Sequence, residues 1–229
     1  MTLTDKNERY ILSHLTLRKL IGILGILLPV ACYLGGSLFR GRPVEDSISA
    51  YYHTNMQDIL TGLLVAMALF LLTYKGYEKR DLLIAIFSGI AGLGIAIFPC
   101  ASRTMTSAAV GVFQITPPWA TYLHYGSSAI FFILLGVNSF FLFTLGNTKE
   151  WTKSKTKRNV IYRICGIIIF ASLVMLLILT CVLGGDKLEA TIWTFIFETV
   201  MLWAFGLSWL VKGKTLFKDK DNEPTFAKA

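Results

Sequence analysis

Charge is what this sequence has least of. Asp, Glu, Lys and Arg make up only 16% of its 229 residues, where a soluble domain carries roughly 25%. Histidine and cysteine are scarce too, at three and four residues, and no HExxH, His-x₃-His or other compact metal signature occurs. So few cysteines exclude a disulfide-knit secreted module, and the low charge excludes a disordered chain. Collagen and coiled coil fail on the same composition.

The hydrophobic set supplies 54% of the residues, and the mean hydropathy is +0.59. The apolar residues lie in long runs that a soluble core does not accommodate, which rules out a water-soluble enzyme. Crossing about 30 Å of hydrocarbon takes roughly 20 mostly apolar residues. Six stretches qualify: 20–39, 58–75, 82–99, 119–145, 159–183 and 190–211. The first is too long for the core of a signal peptide and has no clear small-residue cleavage site after it, so it is read as a retained helix.

The net charge of +8 invites a nucleic-acid reading, but the basic residues are sorted by side. Of the 22 Lys and Arg, 18 fall in the N-terminus, the second and fourth connections and the C-terminal tail. Arg40, Arg42, Arg103 and Lys187 alone fall in the alternate connections. That is the asymmetry membrane insertion requires, and it places both termini in the cytoplasm. No aromatic–basic platform accompanies it, so nucleic acid is rejected as a partner. Backbone groups in lipid must be satisfied within each segment, so the expected fold is all-α, a polytopic bundle of six transmembrane helices. Residues 1–213 form one domain in this reading, and 214–229, mixed in charge and containing Pro224, read as a flexible cytoplasmic tail.

In span three, Ser88, Gly92 and Ala96 recur every fourth residue, a small-xxx-small face suited to close helix approach. The external connections, near 40–57 and 100–118, are long for loops without obvious structure, which suits segments packed over a site.

Ionisable groups in a bilayer need a partner or a purpose, and here they gather in the outer half. Glu198 lies about two turns into span six, and His124 lies in the first turns of span four. Asp58 starts span two, where it reads first as a helix N-cap. His53 precedes it in the run Asp46-Ser-Ile-Ser-Ala-Tyr-Tyr-His53. Thr121, His124 and Ser128 make a polar stripe on span four. Glu198 and His124 are expected inside a pocket, with His53, Tyr51, Tyr52 and Arg103 at its rim and Ser128 a further candidate for ligand binding.

Two imidazoles and two carboxylates suit a transition metal, typically zinc. His53, Asp58, His124 and Glu198 are therefore candidate metal ligands, although their spacing is not compact and no cofactor is assigned on it. A zinc-bound water would make the chain an intramembrane lipid hydrolase. Against that stand structural roles: a buried Glu198 paired with Arg103 or His124, and aromatic anchoring around Tyr51 and Tyr52. A transporter would need a polar path to the cytoplasm, and the inner halves offer only scattered groups such as Asn138 and Ser88. A second copy of the chain could complete one, so a homo-oligomer is kept open. Cys100 and Cys181 lie near external span ends, though small buried thiols are the simpler reading.

Four segments carry a resemblance: Leu17 to Pro29, Asp46 to His53, the Tyr74-Lys-Gly-Tyr-Glu78 turn, and Phe205 to Gly213. Together they resemble a group of bacterial six-helix membrane proteins known as a domain of unknown function. The resemblance implies a bacterial inner-membrane location and brings no activity or site with it. The expectation that emerges is a bacterial inner-membrane protein whose externally facing polar pocket binds membrane lipid or a small amphiphile.

Overall fold

The computed structural model describes residues 3–39, 41, 43–76, 78–101, 115–145, 150–217 and 225–227. The regular elements among the described residues are helices, apart from one three-residue antiparallel ladder. The α-helices are α1 (Leu3–Cys32), α2 (Gln57–Thr73), α3 (Lys79–Ile97), α4 (Pro117–Val137), α5 (Lys153–Leu183), α6 (Gly185–Leu188) and α7 (Trp193–Lys212). Strands β1 (Glu150–Thr152) and β2 (Thr225–Ala227) pair antiparallel, Trp151 opposite Phe226. Part of the segment expected as a C-terminal tail is thus paired with the strand that precedes α5.

Five helical segments are long and apolar enough to cross a membrane: His14–Leu38, Lys79–Ile97, Pro118–Leu142, Lys153–Leu183 and Trp193–Lys212. The segment expected as span two is α2, apolar but only 17 residues long, which is about 26 Å at 1.5 Å per residue.

Helix boundaries follow local chemistry. Helix α1 starts well before the apolar run because Glu8, Arg9, Leu12 and Leu15 favour helix and neither Gly nor Pro interrupts until Gly22. Pro29, inside α1, cannot donate to the carbonyl one turn back, and the chain widens into a π-helical turn at Tyr33–Leu38. Helix α3 opens on a reciprocal cap between Glu78 and Asp81. Thr152 caps α5, accepting from the Lys155 N–H at 3.1 Å. Helix α4 begins at Pro117-Pro118 and ends in a second π-helical turn, Asn138–Leu142.

The packing closes a ring: α1 touches α2, and contacts continue through α3, α4, α5 and α7 back to α1. Small residues set two of these crossings. Ser88, Gly89, Gly92 and Ala96 are all buried, and a Cβ built on Gly89 would stand 2.8 Å from the Ala68 carbonyl oxygen. The small-residue face of span three therefore packs on α2. Between α1 and α7, a Cβ on Gly22 would stand 2.7 Å from the Gly206 carbonyl oxygen, and one on Gly206 would stand 2.7 Å from that of Gly22. The core inside the ring includes Met67, Leu71, Phe131, Phe205 and Trp209. Val160, Ile164, Ile167, Val174, Leu177 and Ile178 of α5 face outward, an apolar stripe of the kind lipid covers.

Candidate functional site

The site is assembled by the segment between α1 and α2. Glycines let it settle against α1: a Cβ on Gly36 would collide with the Tyr51 ring, and one on Gly35 would stand 2.5 Å from the Met56 sulfur. Ser37 donates to the Pro43 carbonyl at 3.2 Å and shares a 2.6 Å hydrogen bond with the Tyr51 hydroxyl. Tyr51 is fully buried, and burial holds its phenol above the ordinary value. Residues Ser49–His53 form a 3₁₀ turn.

That turn is fastened to α7 at two points. The Phe195 N–H, one of the unpaired donors in the first turn of α7, bonds the Asp46 carbonyl at 2.8 Å. The Glu198 Oε2 accepts the Ile48 N–H at 2.7 Å, and Ser49 supplies a second backbone donor. Among the described residues, the hydrogen-bond donors to Glu198 are backbone amides, and His124 bonds the Phe98 carbonyl instead.

The end of α3 is held by both histidines. His124 Nδ1 lies 2.7 Å from the Phe98 carbonyl oxygen, and His53 Nε2 lies 3.1 Å from that of Cys100. A carbonyl only accepts, so each ring donates from that nitrogen.

A cavity of about 310 Å³ lies between these elements. His124, Ser128 and Glu198 all line it, together with Asp46, Tyr125 and Glu189. His124 and Ser128 are four residues apart and so share one face of α4. His124 and Ser128 of α4 therefore face the same cavity as Glu198 of α7, whereas Thr121 is not part of its lining.

The remaining sequence candidates lie elsewhere. Tyr51 is in the core, bonded to Ser37. Tyr52 is half-buried in a small crevice that His124 also borders. His53 does not line the cavity and bonds the Cys100 carbonyl, which does belong to a lining residue. Asp58 is exposed in the first turn of α2. The cap residue of α2 is Met56, not Asp58, and makes no side-chain cap bond. Asp58 faces the positive end of the helix dipole instead. Arg103 lies outside the described residues. Among the described residues, no group of three or more His, Cys, Asp or Glu could hold a metal, so His53, Asp58, His124 and Glu198 do not form such a set.

Asp46, Tyr125 and Glu189 join the cavity without standing out in the sequence. Asp46 belongs to the run that ends at His53, but its proximity to Glu198 depends on the Phe195–Asp46 bond, which no local pattern announces. The cysteines are free, with Cys32, Cys100 and Cys165 buried and Cys181 exposed. Burial, with the Glu198 and Asp46 carboxylates adding to it, pushes the Cys100 thiol up, which removes it as a nucleophile at neutral pH.

No protein-family model matches the chain, and neither a curated protein nor a solved structure matches it.

Proposed function

We propose that this chain is a bacterial inner-membrane protein of six spans, with both termini cytoplasmic, whose externally facing cavity binds a lipid or small amphiphile. The carrying observation is the cavity of about 310 Å³ that His124 and Ser128 of α4 share with Glu198 of α7. Its volume is at the lower end of ligand pockets. Its lining joins apolar Leu176 and Leu188 to a few converging polar groups, the mixture an amphiphile needs. Asp46, Glu189 and Glu198 contribute carboxylates, and no lysine or arginine lines it among the described residues. The polar part it suits is therefore a hydrogen-bond donor or an ammonium group.

The topology rests on the sorting of basic residues. In this reading α2 also crosses the membrane, as the second of the six spans, its short apolar length met by local thinning of the bilayer. A reporter fused after Ala229 reads cytoplasmic if the orientation is right.

The function is tested by native mass spectrometry of the protein purified in mild detergent, with lipid extracts assigned by fragmentation. The expected result is a co-purifying amphiphile bearing a hydroxyl or amine, depleted in Glu198→Gln and His124→Ala while α-helical content is unchanged. Equal retention in wild type and both variants would sink the reading.

A further inference from the structure

Helices α4 and α5 run antiparallel and close on each other away from the cavity. A Cβ built on Gly136 of α4 would stand 2.8 Å from the Phe170 ring of α5. One on Gly166 of α5 would stand 2.9 Å from the Cα of Phe140, in the π-helical turn that ends α4. Towards the cavity the same faces come apart. Residues seven and eleven apart share one face of a helix. That places Ala129 and Tyr125 on the face of α4 that Gly136 presents to α5, and Leu177 and Cys181 on the face of α5 that Phe170 presents to α4. All four are exposed.

The cavity occupies the gap. Its lining is buried or half-buried except at Ala101, Tyr125, Thr180 and Gly185. Tyr125 and Thr180 stand within α4 and α5, in segments long and apolar enough to cross a membrane. They lie about 15 Å along the helix axes from the close contact of Gly136 with Phe170, at 1.5 Å per residue. One turn further in along the same two helices come Ser128 and Leu176, and α7 contributes Glu198.

The lip of this opening is apolar. Thr180 commits its hydroxyl to its own helix, donating to the Leu176 carbonyl at 2.8 Å. Leu177 of α5 and Tyr122 of α4 are 64% and 69% exposed. Other sides of the cavity are tied down. The segment from Asp46 to His53 is bonded to α7 through Phe195 and Glu198 and to the end of α3 through His53. His124 joins α4 to the end of α3 through the Phe98 carbonyl. At about 310 Å³ the cavity is at the low end of the range for drug-sized ligands. A two-chain lipid therefore has to leave its chains outside, and the gap between α4 and α5 is where chains can stay in hydrocarbon.

We propose that α4 and α5 form a portal through which a bilayer lipid reaches the cavity sideways, its head group passing between Tyr125 and Thr180 towards Glu198 while its chains stay against Leu177 and Tyr122. This rests on the reading of the cavity as an amphiphile site and adds the route and the class of ligand. Asp46, Glu189 and Glu198 bring carboxylates to the lining, and no described Lys or Arg joins them. The head group is therefore one that bears a hydroxyl or an amine and no net negative charge.

The test is photolabelling of the full chain in phosphatidylcholine vesicles. The probes are a diacylglycerol and a long-chain amine, each with a diazirine at the top of one chain, and adducts are mapped by peptide mass spectrometry. Adducts should gather on residues 125–129 and 176–181 and be displaced by unlabelled probe. They should fall roughly tenfold in Thr180→Trp, which plugs the portal. Ile90→Trp, a change at an exposed position of α3, should leave them unchanged. A phosphatidylglycerol with the same diazirine should label these residues far less, and equal labelling would overturn the head-group class. Displaceable adducts that are lost in Glu198→Gln but unmoved by Thr180→Trp, or that map to another pair of helices, would keep the cavity as a lipid site and overturn the portal. Adducts that unlabelled probe does not displace, or none with either probe, would overturn both readings. Should Thr180→Trp not fold, the adduct map and its displacement in the wild type decide alone.

Discussion

Glu198 accepts the backbone N–H of Ile48 at 2.7 Å, joining residues 150 positions apart in sequence. The same carboxylate lines the cavity, so it fastens the segment over the site and faces whatever enters. Substitution separates these roles. Gln keeps an acceptor for the Ile48 N–H, whereas Ala leaves a buried donor unpaired at about 1–3 kcal/mol. Glu198→Ala should therefore unfold at a clearly lower temperature than Glu198→Gln in detergent. If the two unfold together, the fastening role is wrong.

The Cys100 thiol yields a pH-dependent expectation. Its acidity is weakened in the folded chain by burial first and then by the Glu198 and Asp46 carboxylates. An acid with a raised folded value contributes stability that is fully present below its unfolded value, about 8.5 for a thiol, and lost as pH rises beyond it. In a variant whose other three cysteines are Ala, maleimide labelling of folded protein should be slow at neutral pH and quicken with alkali and with denaturation. Labelling as fast as a free thiol at neutral pH would contradict this burial.

Ser139 and Ser208 share a hydrogen bond of 2.9 Å, with both side chains fully buried between the end of α4 and α7. Interhelical polar pairs in membrane proteins average about 0.6 kcal/mol by double-mutant cycle. Ser139→Ala, Ser208→Ala and the double variant should return a coupling of about that size. Ser208 also bonds the Phe205 carbonyl at 2.8 Å, so its single change should cost more than that of Ser139. Additive single effects would show that the pair contributes orientation without coupling energy.

How much of the fold and the site is legible in the sequence depends on how local each cause is. Apolar runs announce the helices, and the four-residue spacing of His124 and Ser128 is enough to put them on one face of a helix. The depth of Glu198 in its span marks it as functional or paired. Its partner is not legible, because a backbone N–H has no sequence signature. Asp46 and Glu189 escape for a similar reason: both lie outside the long spans, and only the path of the chain brings them to the cavity. Lys155 and Lys212 enter the sequence only in a count of basic residues, and that both donate to the Phe143 carbonyl depends on how α5 and α7 pack.

The crossing of α1 and α7 gives the most direct test of the ring. Gly22 and Gly206 each bring the other's carbonyl oxygen to 2.7 Å from where a Cβ would stand. Neither obstacle is a flexible side-chain tip, so a methyl group there must move a helix. Overpacking of this kind costs about 1–3 kcal/mol. Gly62 of α2 has nothing within 4 Å of its Cβ position, and Ala there should be neutral. Gly22→Ala and Gly206→Ala should each lower the unfolding temperature in detergent, while Gly62→Ala should leave it unchanged. The double variant should cost less than the sum of the singles, because one displacement of α7 relieves both clashes. If Gly62→Ala were as damaging as the other two, the loss would reflect glycine itself in these helices, and the close α1–α7 contact would no longer explain it.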